Sequence, residues 1–284
     1  LKVLLVISVP VLLDPMNVFM FCAVLSITLQ KMKEYFLVAM CHRSKLKVIA
    51  LANIKSLVKC KKLALSKQGV AFNFSPRERN NFRKTSNDSQ LASCMVFSCP
   101  EIENSTSLSV DSRFDYYSVY ADPIPPINST CIEGVGVFVI HLSGESYNRS
   151  KEKCHKFGAG LPDIASESRT RSLSQILEFY LPKKSLHQAY IGMDGLENDG
   201  EFHRSNGQAL TCTTYRAWAP GHPRRRHPNQ TCCTLDSKRM WRALDCGLKL
   251  PFICEIYPGG WYEDYDLYEH DLEPHTRFPG WNCS

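Results

Sequence analysis

Cys154, Gly158-Ala159-Gly160-Leu161-Pro162-Asp163-Ile164, Tyr190-Ile191-Gly192-Met193, Gly200-Glu201-Phe202, Trp218-Ala219-Pro220-Gly221-His222-Pro223, Cys232, Trp241, Cys246 and Pro251-Phe252-Ile253-Cys254-Glu255 follow one another in this order. No single piece is specific; their order and spacing together decide the fold. Just upstream, Tyr147, Ser150, Cys154 and Phe157 fall on one face of a helix, which Gly158 is placed to end. Asn148 sits on the opposite, wet face. A second helix is predicted over 167–181, with Leu173, Ile176, Leu177, Tyr180 and Leu181 as its buried stripe and Pro182 as its stop. The β-branched run 135–142 reads as a first strand. Short strands between turns are predicted at 189–193, 201–203, 232–235, 239–244 and 252–256.

The ordered set resembles a C-type lectin-like domain, covering residues 131–257. The resemblance implies an α+β fold with two helices, two small antiparallel sheets and a long irregular loop that carries the ligand site, all stapled by disulfides. It implies that Cys154 pairs with Cys254 and Cys232 with Cys246. Adjacent cysteines on a strand point to opposite faces, so Cys232 and Cys233 belong to different bridges. Cys212 with Cys233 is the preferred additional pair, although connectivity does not follow from spacing alone.

Sugar-binding members of that family hold calcium in the long loop, and calcium takes about 6–8 oxygen ligands. At the corresponding positions this chain has His222-Pro223-Arg224, Gln230 and Trp241-Arg242-Ala243. Oxygen donors are replaced by imidazole, guanidinium and methyl groups, and cations repel a dication. The expectation is no metal and no cofactor. The family's proline at Pro223 is often cis. What remains is a basic loop in which Arg224, Arg225 and Arg226, with Arg242 and His222, form a candidate anion site. The planar fork of arginine suits sulfate and carboxylate groups, and basic clusters of this kind read as heparin patches. The bland alternative is a solvated basic loop. Asn229, an acceptor for glycosylation, lies in the same loop.

The remainder of the 284 residues sets the context. Thirteen cysteines point to an oxidising compartment. Acceptor sequons at Asn87, Asn104, Asn128, Asn148, Asn229 and Asn282 agree, with a weaker one at Asn73 before Pro76. Residues 1–29 hold two apolar runs, 3–13 and 18–29, each shorter than the about 20 residues needed to span a bilayer but long enough for a signal peptide; an uncleaved anchor is the alternative. Residues 41–100 read as a small N-terminal unit with a helix around Cys60 and a strand at 70–74. This unit is faintly similar to PAN/apple domains, but Ala64 and Gly69-Val70 stand where that family has cysteines. Cys41, Cys94 and Cys99 are all candidate partners for Cys60. Residues 101–130, rich in Ser, Asp, Tyr and Pro, read as a linker. Residues 258–284 read as an acidic, aromatic, extended tail that either folds back onto the basic loop or stays solvated.

The net charge of +6 is modest, and with the secretory features it argues against nucleic acid as a partner. No catalytic signature is present, and His222, His227 and Cys232 do not have the spacing of a zinc site. The expected function is a secreted, extracellular recognition glycoprotein, independent of calcium, binding a glycan (sulfated ones included) or a protein. Alternatives are a structural matrix or cuticle component and conventional calcium-dependent carbohydrate binding.

Overall fold

The computed structural model describes residues 34–76, 92–102, 107–121, 124, 128–156, 158–164, 166–181, 188–196, 201–223 and 230–259. The apolar segment 1–29 and residues from 260 onward lie outside the described residues, as do Asn87, Asn104, Asn229 and Asn282.

The N-terminal part is built on an antiparallel sheet. Its strands, from one edge to the other, are β1 (Phe36–Ala39), β7 (Asp115–Ser118), β4 (Ala71–Phe74), β5 (Cys94–Phe97) and β3 (Val48–Ala52). Strands β4 and β5 are buried along their whole length, as strands covered on both faces are. Helix α1 (Leu57–Ser66) turns Cys60 and Ala64, four residues apart, into the interior. Cys60 is bridged to Cys94, which resolves the choice of partner. A Cβ at Gly69 would lie 2.3 Å from Val96 Cγ1, so only glycine allows α1 to turn this closely over β5. A short ribbon of β2 (His42–Ser44) and β6 (Leu108–Val110) flanks the sheet. Asn73 is fully buried, and its amide bonds both ways with the Ser44 backbone at 3.0 and 2.9 Å.

The linker expectation for 101–130 is corrected. This segment supplies β6, and it supplies β7, which pairs with β1 and β4 inside the sheet. Its polar composition hides the apolar set Phe114, Tyr116, Val119, Tyr120 and Ile124, all buried. Burial of that set outweighs the local preference of Ser, Asp and Pro for open chain.

The second part follows without a gap. Its strands are β8 (Ser129–Ile132), β9 (Gly136–Glu145), β10 (Ala159–Gly160), β11 (Gln188–Asp194), β12 (His203–Arg204), β13 (Cys232–Asp236), β14 (Trp241–Leu244) and β15 (Leu250–Ile256). The two expected sheets join at one parallel contact, Tyr190 to Phe252, into the order β14-β13-β11-β15-β9-β8. Helix α2 (Tyr147–His155) buries Tyr147, Ser150 and Cys154 of the predicted stripe and leaves Asn148 exposed, while Phe157 lies outside the described residues. Helix α3 (Glu167–Tyr180) starts at Ser166, whose hydroxyl accepts from Arg169 N at 3.3 Å. Its buried residues include Leu173, Ile176 and Leu177, while Tyr180 is half-buried. The chain is therefore α+β, with the lectin-like fold in its second part.

The two parts share a core. One buried cluster contains Phe72, Val96, Val119 and Tyr120 from the first and Val137, Tyr147, Tyr190 and Phe252 from the second. A disulfide, Cys99–Cys131, crosses between them.

Candidate functional site

The long loop is held at its base by aromatic packing. Trp241 is fully buried on β14. Trp218 meets it edge-on at 5.6 Å and Tyr215 at 5.3 Å, and Phe202 packs against Trp218 at 5.0 Å. Such edge-to-face pairs add about 0.5–1.5 kcal/mol each beyond the area they bury. Two backbone bonds lock the segment to the strand: Trp241 N donates to Ala217 O at 2.7 Å, and Ala219 N donates to Trp241 O at 2.8 Å. Then Ala219-Pro220-Gly221-His222 forms a tight turn, closed by His222 N donating to Ala219 O at 2.9 Å. Gly221 has φ +76°, the left-handed value a type II turn requires at that position. The next peptide, His222–Pro223, is cis.

From this base His222 turns inward. Its Nδ1 accepts a hydrogen bond from Ala243 N at 3.2 Å, so the ring joins the loop to β14. Arg242, predicted as an anion ligand, points its Nε to Asp236 Oδ2 at 3.1 Å. Asp236 is buried, and its other oxygen accepts from Lys238 N and Met240 N, both at 2.9 Å, shaping the turn between β13 and β14. Asp236 was missed in the sequence. The signal was available: an Asp opening a polar turn between two short strands is a side-chain turn-former. Arg224, Arg225 and Arg226 lie outside the described residues, so the structure brings together only His222 and Arg242 from the candidate set.

These side chains do not fit a calcium ion. The His222 lone pair is engaged with a backbone N–H, position 242 carries a cation, and position 243 a buried methyl group. Gln230 Oε1 is a buried oxygen with no partner among the described residues. Among the described residues at these positions that is one neutral oxygen, against the about 6–8 that calcium takes. Among the described residues no three His, Cys, Asp or Glu side chains come together as a metal set.

Cys154 is bridged to Cys254 and Cys232 to Cys246. The expected Cys212–Cys233 pair is corrected: Cys233 is a free, fully buried thiol, although Cys212 is itself disulfide-bonded. The alternation argument did separate Cys232 from Cys233, which lie in different core clusters. It did not require the second side chain to find a sulfur. Cys233 packs as a small hydrophobe beside Leu235, Trp241 and Met193 in a cluster that needs no crosslink. Burial pushes its thiol well above the usual range, and the nearby Asp194 carboxylate adds to that.

Comparison with known proteins places residues 143–256 in the family described as lectin C-type domain. The mannose-binding protein of Gallus gallus is 32% identical over 107 residues, 37% of this chain and 38% of that protein. C-type mannose receptor 2 of Rattus norvegicus is 27% identical over 141 residues, 48% of this chain and 9% of the receptor. The chain thus spans well under half the length of these relatives. Among solved structures, human lithostathine matches over 45% of this chain and 88% of its own, at 16% identity and a TM-score of 0.40. The mouse scavenger receptor C-type lectin domain matches over 49% and 98%, at 19% identity and a TM-score of 0.39.

Proposed function

We propose that this chain, whose residues 143–256 form a C-type lectin domain, is an extracellular recognition protein that binds an anionic glycan through its long loop without calcium. The observation that carries this reading is the chemistry of the loop base: a histidine bonded to backbone and an arginine paired with Asp236 stand where the family's calcium ligands stand. In sequence, Arg224, Arg225 and Arg226 follow directly on the segment that Trp218 and Trp241 anchor. A run of guanidinium groups suits sulfated chains, which are recognised by charge and paired hydrogen bonds. Arg242 serves as a brace for the β13–β14 turn more than as a ligand, because its charge is already balanced.

Secretion is supported by the disulfides and by Asn148, an acceptor on the exposed face of α2. The test is retention on immobilised heparin across a salt series, in calcium and again in chelator. Retention that is indifferent to chelator and falls steeply with salt is expected. Replacing Arg224, Arg225 and Arg226 with Ala should abolish retention at physiological salt, while Arg242→Ala should change it little. Binding that requires calcium would overturn the reading, and absence of glycan binding in both conditions would turn it toward a protein partner.

A further inference from the structure

A second basic surface among the described residues lies outside the lectin domain. Residues 34–76 carry eight Lys or Arg against one acid, Glu34. Lys59, Lys62 and Lys67 are exposed on α1 and at its end, and Val58 and Leu65 lie among them at 61% and 40% exposure. Among the described residues, the ion pairs of this part, Arg43 and Arg113 with Asp111, involve none of these lysines. An exposed helix face that is both cationic and aliphatic calls for a partner that is both anionic and apolar.

The chain leaves the described structure beside that face. Gly259 N donates to Val119 O at 2.9 Å, and Val119 N donates to Val70 O at 2.9 Å. Pro258 lines a cavity of about 380 Å³ together with Leu65, Gln68 and Val70, at the C-terminal end of α1. Beyond it, residues 260–276 contain Glu263, Asp264, Asp266, Glu269, Asp271 and Glu273 and no Lys or Arg. Tyr262, Tyr265, Leu267, Tyr268 and Leu272 alternate with these acids. The segment 260–273 reaches up to about 45 Å when extended, whereas α1, with 10 residues, is about 15 Å long.

We infer that the segment 262–273 docks along the exposed face of α1, setting its carboxylates against Lys59, Lys62 and Lys67 and its tyrosines and leucines against Val58 and Leu65. This seat lies on the N-terminal part, so it differs from a latch onto the arginine loop and does not depend on what that loop binds. Being exposed, the contact is weakened by salt.

Zero-length carbodiimide crosslinking of the full chain at low ionic strength tests it, with peptide mapping and a mixture of ¹⁵N-labelled and unlabelled protein. Links within one chain from Lys59, Lys62 or Lys67 to acids of 263–273 are expected. Their yield should fall roughly fivefold or more in high salt and in the triple variant K59Q/K62Q/K67Q, whose exposed substitutions leave the fold intact. Links no more frequent there than to Lys151 and Lys238 of the lectin domain would overturn the proposal. So would links found only between labelled and unlabelled chains.

Discussion

Glu255 shows how a single residue ties distant segments of the second part together. It lies on β15, 8% exposed, with its carboxylate against Arg169 of α3. Arg169 also donates to Asp163 O at 2.7 Å and Val135 O at 3.1 Å, so its guanidinium is held in place. Burial raises the Glu255 carboxyl above its ordinary value of 4.5, and the Arg169 charge only partly offsets this. Desolvation commonly exceeds the attraction in a buried pair. The folded state therefore holds this proton more tightly than the unfolded chain does. Its contribution to stability is full below the ordinary glutamate value and is lost as pH rises through the raised one. Urea unfolding from about pH 4 upward should show a decline in stability across that window for the wild type and a shallower one for Glu255→Gln; equal slopes would refute it. Such a pair is invisible in sequence, where Arg169 and Glu255 are 86 positions apart.

At the scale of elements, α2 and β15 are joined by Cys154–Cys254, which closes a loop with a sequence separation of 100. Cys232–Cys246 closes one of 14. Chain entropy makes the first the stronger staple, about 4–5 kcal/mol against about 3 kcal/mol. The double variant Cys154→Ser, Cys254→Ser should accordingly lose more stability in denaturant than Cys232→Ser, Cys246→Ser; the reverse order would mean that native-state strain dominates. The helices were legible because their buried stripes repeat at helical spacing, as Tyr147, Ser150 and Cys154 do. β7 was not legible. Its residues Asp115-Tyr116-Tyr117-Ser118 have no apolar alternation, and buried Asp115 accepts at 3.0 Å from Cys41 N, which is 74 positions away in the turn between β1 and β2.

The whole molecule folds around a core that ignores the boundary suggested by composition. Val119 and Tyr120 of the supposed linker lie in the same buried cluster as Val137 and Ile256, and Cys99–Cys131 fastens the two parts covalently. A shared core predicts shared cooperativity. Urea unfolding followed by near-UV circular dichroism and by tryptophan fluorescence should give coincident single transitions. Trp218 and Trp241 report on the lectin domain, while Tyr116 and Tyr117 contribute from the N-terminal sheet. Two separated transitions would mean that the parts unfold independently despite their contact.

The order of glycines, tryptophans and cysteines from Cys154 to Cys254 was enough to specify the lectin fold and its helices. Those are local properties: a period, a turn residue. The tertiary structure decided what depends on distant neighbours. It left Cys233 a free thiol, buried in the same apolar cluster as Leu235, Trp241 and Met193. It paired Arg242 with Asp236 across the β13–β14 turn. It also drew residues 107–121 into the N-terminal sheet, because burying Phe114, Tyr116 and Val119 there outweighs the chain entropy of a free linker.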